Sequence, residues 1–350
     1  LTRSPGACYP QGDMACDALI TGISGFIAGH LARRLVAEGQ AVTGVGRRPP
    51  EFPLPDVTFV PLDIRDQAAT EAAIREAQPR AVYHLAAISS LQSAAEDGGA
   101  RAMLETNVAG TWNVLEACRR AGTPAVVVAS SDKQYGALAK PPYDDEDSTA
   151  FLNGGVYELS KAQQDQAARM WAGLYDTPAV RVARLTNVYG PFDTQWSRII
   201  PGNIRRTVRG EPPRVTAGRA GEALREYVFV DDVVTALRAL AADATERGNA
   251  PLRRADGKLA RVAFNIGPGT RLPAAGVIET VQRVLREEFG VTGPAPVVQP
   301  GTPGVFEPGS QFNRTERLAS LVPGFAPRPL EAGLRETLPW YLEYLAQNAD

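Results

Sequence analysis

Residues 16–45 read "CDALITGISGFIAGHLARRLVAEGQAVTGV", and their punctuation decides the fold. Apolar residues run through Ala18, Leu19 and Ile20, and then Gly22 and Gly25 mark a tight turn. Phe26, Ile27, Leu31, Leu35 and Val36 follow with the spacing of one helix face. Gly39 stands where helices usually stop, and "AVTGV" supplies the next strand. Strand, turn, helix and strand in one short stretch make a βαβ unit.

The same alternation repeats downstream. "VTFVPLDI" predicts a strand and "DQAATEAAIREAQ" a helix. "AVYHLAA" predicts another strand, and a long helix follows from about Met103 to Arg120. "AVVVAS" and "AVRVARLTNVYG" are strands on either side of the helix "VYELSKAQQDQAARMWAGLY". This alternation argues for an α/β protein built on a Rossmann-type, doubly wound parallel sheet, with ligands at the carboxyl ends of its strands. After Asn187 the sequence becomes rich in Pro, Gly and Arg, which predicts a smaller C-terminal α+β substrate lobe.

The expected division has three parts. Residues 1–16 form a disordered leader, with Met14 as a candidate internal start. Residues 17–187 and about 226–245 form the dinucleotide-binding domain, because "YVFVDDVVTALRALA" should return to the sheet layer. Residues 188–225 and about 246–345 form the substrate lobe, which ends in the helix of "RPLEAGLRETLPWYLEYL".

Composition removes several classes of function. With 350 residues, 44% of them hydrophobic and 22% charged, the chain has the makeup of a globular protein of about two lobes. A net charge of −2 with dispersed basic residues argues against nucleic acid as a partner, since counterion release needs a clustered basic face. No apolar run approaches the roughly 20 residues that span a bilayer. The three cysteines, Cys8, Cys16 and Cys118, lack metal-ligand spacing and suit reduced thiols in the cytoplasm, with Cys118 a small core residue. His30 and His84 are the two histidines; they offer no metal site and read as structural.

Gly22, Gly25 and Ala28 fit a phosphate-binding turn of the TGxxGxxG type, with Ala in the third place. Glycine lets the backbone approach a pyrophosphate, and the N–H groups at the helix start bind its charge. The third position needs only to be small, for helix–strand packing. An acid usually ends the second strand of an NAD-specific site, yet here "VTGVGRRPP" carries Arg47 and Arg48. Two arginines there suit the 2′-phosphate of NADP, or they are solvated loop residues; the cofactor is NAD or NADP, with the pair favouring NADP. Asp63 in "LDIRD" is placed to reach the adenine.

The chemistry-bearing residues come next. "SSDKQYG", residues 130–136, ends a strand, and Tyr157 and Lys161 in "YELSK" share one helix face. A Lys beside a phenol stabilises the phenolate, giving a base that can take a proton from an alcohol next to a nicotinamide.

On these residues the chain resembles an extended short-chain dehydrogenase/reductase of the nucleotide-sugar epimerase/dehydratase family. The matching segments are "LITGISGFIAGHL", "YHLAA", "NVAGTWNVLEACRRAG", "SSDKQYG", "YELSK", "RLTNVYGP", "REYVFVDDV", "FNIGPG" and "LEAGLRETLPWY". The resemblance implies a tightly held NAD(P) that is regenerated in each turnover, a nucleoside-diphosphate sugar as substrate, and a homodimer. The dimer would form a four-helix bundle from the helices around 103–120 and 157–175. Cofactor contacts are implied for Gly22, Ser24, Gly25, Phe26, Ile27, Arg47 and Arg48. Others fall to Asp63, Ile64, Leu85, Ala86, Ala87, Tyr157 and Lys161. Substrate contacts are implied for Ser89, Asn187, Arg198, Ile200 and Arg225, with Asn187 and Arg225 on the diphosphate. "SRIIPGNIRR" is similar to the segment that CDP-glucose dehydratases place against the nucleotide.

Within that family, the residues after the catalytic hydroxyl separate the reactions. Ser131, Asp132 and Lys133 look like the Asp-Lys pattern of CDP-glucose-type 4,6-dehydratases, whereas "REYVFVDD" has the form more usual in epimerases. The expected reaction oxidises C4 through Ser131, Tyr157 and Lys161, eliminates water across C5 and C6, and returns hydride to C6. Asp132 is the candidate acid and Lys133 the candidate base, or the two exchange protons as a coupled pair. The alternative on the same scaffold is a 4-epimerase or 4-ketoreductase in which the two charges form a salt-bridged loop. A non-catalytic dinucleotide sensor would carry a damaged Ser/Tyr/Lys set, and here that set is intact.

Overall fold

The computed structural model describes residues 16–89, 98–136, 141–145, 155–216, 222–249, 262–300 and 309–348. The expected leader, with Cys8 and Met14, lies outside the described residues except for Cys16. Seven parallel strands form the main sheet: β1 (Cys16–Thr21), β2 (Val42–Gly46), β3 (Val57–Pro61), β4 (Pro79–His84), β5 (Ala125–Ser131), β6 (Ala179–Leu185) and β10 (Ala263–Ile266). Their order across the sheet is β10-β6-β5-β4-β1-β2-β3. The chain therefore winds outward one way from β1 and the other way from β4, and a crevice opens where the direction reverses.

Helices cover both faces, as a sheet of almost continuously buried strands requires. On one face lie α1 (Phe26–Ala37), α7 (Val230–Arg247) and α9 (Glu316–Leu321). On the other lie α2 (Gln67–Ala77), α4 (Gly110–Ala121) and α5 (Val156–Leu174). The Asp66 side chain caps α2 by accepting a hydrogen bond from the backbone N–H of Ala69. Ala28 is 1% exposed, so the third position of the glycine turn is a packing position. Cys118 is fully buried in the core, as expected.

Four expectations need correction. The helix expected from Met103 starts at Gly99 and is not regular: α3 (Gly99–Leu104) passes through a π turn (Glu105–Ala109) into α4. The strand expected over "AVRVARLTNVYG" breaks at Thr186, and β7 (Asn187–Tyr189) leaves the main sheet. It pairs with β9 (Arg225–Phe229), which pairs in turn with β11 (Arg271–Leu272). "YVFV" thus belongs to a small sheet, and only α7 after it returns to the main layer. Conversely β10, expected in the lobe, pairs with β6 as an edge of the main sheet, and all four of its residues are buried.

The rest of the lobe packs α6 (Ile199–Val208), α8 (Ala274–Phe289) and α10 (Leu330–Gln347) around Tyr189, Phe229, Val281 and Leu338. Short strands β8 (Arg214–Thr216) and β12 (Val297–Gln299) pair beside it.

Candidate active site

The glycine turn opens the site. Gly22 has φ +72°, and a Cβ there would lie 2.7 Å from Ala86 Cα, so the β1 turn sits directly against the end of β4. Its N–H donates to Val45 O at 2.8 Å, and Gly25 N–H donates back to Gly22 O at 2.8 Å. Gly25 caps α1 without a side-chain acceptor, so the helix N-terminus keeps N–H groups for an anion. Ser24, Gly25 and Phe26 line a cavity together with Arg33, Phe192 and Arg198. A glycine cradle at an uncapped helix start fits the diphosphate of a dinucleotide.

The adenosine end is more mixed. Arg47 and Arg48 are exposed just past β2. Asp63, expected at the adenine, gives its carboxylate to Arg65, whose guanidinium donates to it at 2.6–3.1 Å. That pairing holds the Asp63 carboxyl below the usual carboxylate range. Ile64 is buried against Gly110, where a Cβ would come within 2.6 Å of it. The N–H groups of Leu85 and Ala86 both donate to Thr21 Oγ1, each at 3.2 Å, so these two donors are spent on the protein. Ala87 is half-buried and Ser89 exposed in the same stretch.

The carboxyl end of β5 carries the reactive residues. Ser131 ends the strand, and Asp132–Tyr135 form one 3₁₀ turn packed on α5. The Ser131 hydroxyl donates to Asp132 Oδ1 at 3.2 Å and accepts from Lys133 N–H at 3.3 Å. Asp132 is only 3% exposed. The Lys133 ammonium donates to Gln311 Oε1 from the lobe.

Arg184 on β6 fixes this arrangement from below. It is fully buried, binds both carboxylate oxygens of Asp165 on α5 at 2.8 Å, and donates to the Tyr135 hydroxyl at 2.8 Å. Removing one member of such a buried pair costs about 3–5 kcal/mol.

Tyr157 and Lys161 lie one turn apart on α5. Burial pushes the Tyr157 phenol up to about 12, opposed mainly by the Ser131 hydroxyl. Lys161 donates to Ala129 O at 2.9 Å and to Gln164 Oε1 at 2.8 Å. Burial lowers its ammonium to about 8. Two of that ammonium's three hydrogens are given to the strand and to Gln164, which leaves one for a further acceptor.

Substrate-side expectations divide in the same way. Asn187 Nδ2 donates to Glu226 O at 2.9 Å, which ties β7 to β9. Arg198 faces the cavity beside the glycine turn and pairs with Asp193 at 2.9 Å. Arg225 donates to Gly309 O at 2.6 Å. Ile200, expected against the nucleotide, is 2% exposed and packs in the lobe's apolar cluster.

The sequence did not single out Glu226 and Gln311. Glu226 accepts from the N–H groups of Gly269 and Asn313, both at 2.9 Å, and burial, with the Asp132 charge in support, raises its carboxyl to about 7. One signal was available for the amines. Only four of the 37 basic residues are lysines (Lys133, Lys140, Lys161 and Lys258), and two of them are here. His84 and His30 are hydrogen-bonded inside the protein, and among the described residues no cluster could hold a metal ion. Nor is any described helix long and apolar enough to cross a membrane.

Known proteins share this architecture from end to end. A probable UDP-glucuronate 4-epimerase of Rhizobium meliloti is 26% identical over 92% of this chain and 96% of its own length. A dTDP-glucose 4,6-dehydratase of Neisseria meningitidis is 27% identical over 93% of each. The solved structure of MoeE5, in complex with UDP-glucuronic acid and NAD, is 28% identical with a TM-score of 0.77, covering 94% of this chain and all of that one. The family model for the NAD dependent epimerase/dehydratase family matches residues 18–253, and this chain belongs to that family.

Proposed function

We propose that this enzyme is a nucleoside-diphosphate-sugar 4,6-dehydratase, a lyase of deoxysugar biosynthesis. The observation that carries the reading is an acid and an amine, Asp132 and Lys133, directly behind Ser131 on the turn packed against the Tyr157 helix. Epimerisation or ketone reduction needs proton transfer at the C4 oxygen alone. Elimination needs two more transfers, at C5 and at the C6 oxygen, and these side chains suit them.

When bound, NAD would supply the oxidant for C4 and the reductant for C6, and the positive charge of its oxidised ring would favour the Tyr157 phenolate. Gly22, Gly25 and the start of α1 would hold its diphosphate. Tyr157, bridged by the Ser131 hydroxyl, takes the proton of the sugar 4-hydroxyl. The resulting 4-ketone acidifies the C5 hydrogen. Lys133 in its neutral form removes that proton, Asp132 protonates the departing C6 oxygen so that water leaves, and C5 regains a proton as the 4-keto-6-deoxy sugar forms. Arg225 and Asn187 are the proposed diphosphate contacts.

The bond from Lys133 to Gln311 favours a second reading, a 4-epimerase or 4-ketoreductase in which the amine is structural. Incubation with CDP-, GDP-, UDP- and dTDP-hexoses, each with NAD and with NADP, separates the two by mass. Loss of one water supports the dehydratase, and an unchanged mass with inverted C4 rejects it. Arg47 and Arg48 lead us to expect activity with NADP as well as NAD.

We also infer a homodimer through α4 and α5, because Trp112 on α4 and Met170 and Leu174 on α5 are 49–60% exposed. Trp112→Glu should turn a dimer into a monomer in sedimentation analysis. An unchanged sedimentation coefficient would place the interface elsewhere.

A further inference from the structure

Behind Lys161 runs a buried chain of hydrogen bonds whose every direction is fixed by chemistry. An ammonium cannot accept, so the Gln164 oxygen must face Lys161, and its Nε2 donates to Thr111 Oγ1 at 2.9 Å. The Thr111 hydroxyl spends its one proton on Asn107 O at 2.7 Å, so it can only accept from His84, 2.8 Å away. His84 must therefore carry its proton on Nε2. Its Nδ1 accepts from the Thr21 hydroxyl at 2.8 Å, and that oxygen in turn receives the N–H groups of Leu85 and Ala86. Thr21, His84, Thr111 and Gln164 are each at most 1% exposed. The π turn presents Asn107 to this chain, with its side chain bonded to Ile88 and to Ser160 Oγ.

The chain joins α5 to the ends of β1 and β4, the walls of the cofactor crevice. Its one contact with a charged group is a neutral amide on an ammonium. We propose that Gln164 is a positioning residue whose amide, locked through Thr111, His84 and Thr21, holds the Lys161 ammonium in place and sets the pH range over which it stays charged. A carboxylate at this position would make the same bond and hold the proton far more strongly. The inference rests on the reading of Lys161 as part of the hydride-transfer site.

The surroundings agree with this role. Asp165, the nearest carboxylate on the helix, is already paired with Arg184. Tyr157, Glu158 and Arg169 of α5, Arg80, Tyr83 and His84 of β4, Asp132, Lys133 and Tyr135 of the 3₁₀ turn, Arg181 and Arg184 of β6, and Glu105 of the π turn are among the other ionisable groups on the elements around it. His84 is buried and neutral, lowered to about 3 by burial and by the Lys161 charge.

With four lysines in the chain, ¹³C-lysine NMR resolves Lys161, assigned by its loss in Lys161→Met. In the full-length wild type it should titrate at about 8. Gln164→Glu should raise that midpoint by roughly 1–3 pH units, the effect of an adjacent opposite charge, and extend hydride transfer to correspondingly higher pH. Gln164→Met should lower it. A Gln164→Glu titration that coincides with wild type overturns the proposal. If that variant fails to fold, ¹⁵N-histidine NMR of the wild type decides: a proton on Nε2 of His84 supports the chain, and a proton on Nδ1 contradicts it. Should the Lys161 midpoint move while the pH profile of hydride transfer does not, the role of Gln164 stands and the placement of Lys161 in the hydride-transfer site fails.

Discussion

Ser131, Asp132 and Lys133 follow one another in the chain, and each meets a different partner. Ser131 lies between Asp132 and Tyr157, Asp132 is buried, and Lys133 reaches across to Gln311. An elimination base must exchange its proton freely, so Lys133 would leave Gln311 as the sugar enters. Lys133→Ala should therefore keep sugar-dependent reduction of NAD and lose exchange of the C5 hydrogen with deuterated water by about 10²-fold or more, followed by NMR. Undiminished exchange would remove Lys133 from the role of base. "SSDKQYG" and "YELSK" were legible because a strand end and a helix face bring them together without knowledge of tertiary contacts. Gln311 was not legible, since it lies 178 positions from Lys133 and only the fold joins them. The same holds for the Tyr157 phenol, whose rise to about 12 is a property of burial and not of residue spacing.

Among the elements, the β1 turn and the π turn contribute most to the geometry of the site. Gly22 takes a positive φ and packs against the backbone of Ala86, two demands that only glycine meets together. Gly22→Ala should destabilise the protein by about 1–3 kcal/mol in urea unfolding and weaken NAD binding at least tenfold by calorimetry. Wild-type values for both would mean the turn does not cradle the cofactor. This turn was readable from glycine spacing and helical periodicity. The π turn was not, because it depends on where Asn107 finds its partners at Ile88 and Ser160. Strands β7, β10 and β11 have two to four residues each, too short to carry a period, so their assignment between sheets came only from pairing.

At the scale of the whole molecule, Glu226 on β9 joins distant segments by accepting N–H groups from Gly269 and Asn313. Its carboxyl is raised from 4.5 to about 7, first by burial, so the folded state holds a proton that the unfolded chain has released. The stability this gives is complete below about pH 4.5 and is lost as the pH rises through about 7. Glu226→Gln should remove that loss, on the order of 3 kcal/mol, from urea unfolding compared on the two sides of this window. An unchanged pH dependence would assign it to other groups, such as Asp145, which burial raises to about 6. The dehydratase reaction moves one hydrogen from C4 to C6. A nucleoside-diphosphate hexose deuterated at C4, chosen as the one that turns over in the substrate panel, should be incubated with the enzyme and its cofactor. A dehydratase gives a product that has lost water and carries the deuterium at C6. A product of unchanged mass with the deuterium still at C4, or an oxidised sugar that has left its deuterium on reduced cofactor, would contradict the dehydratase reading.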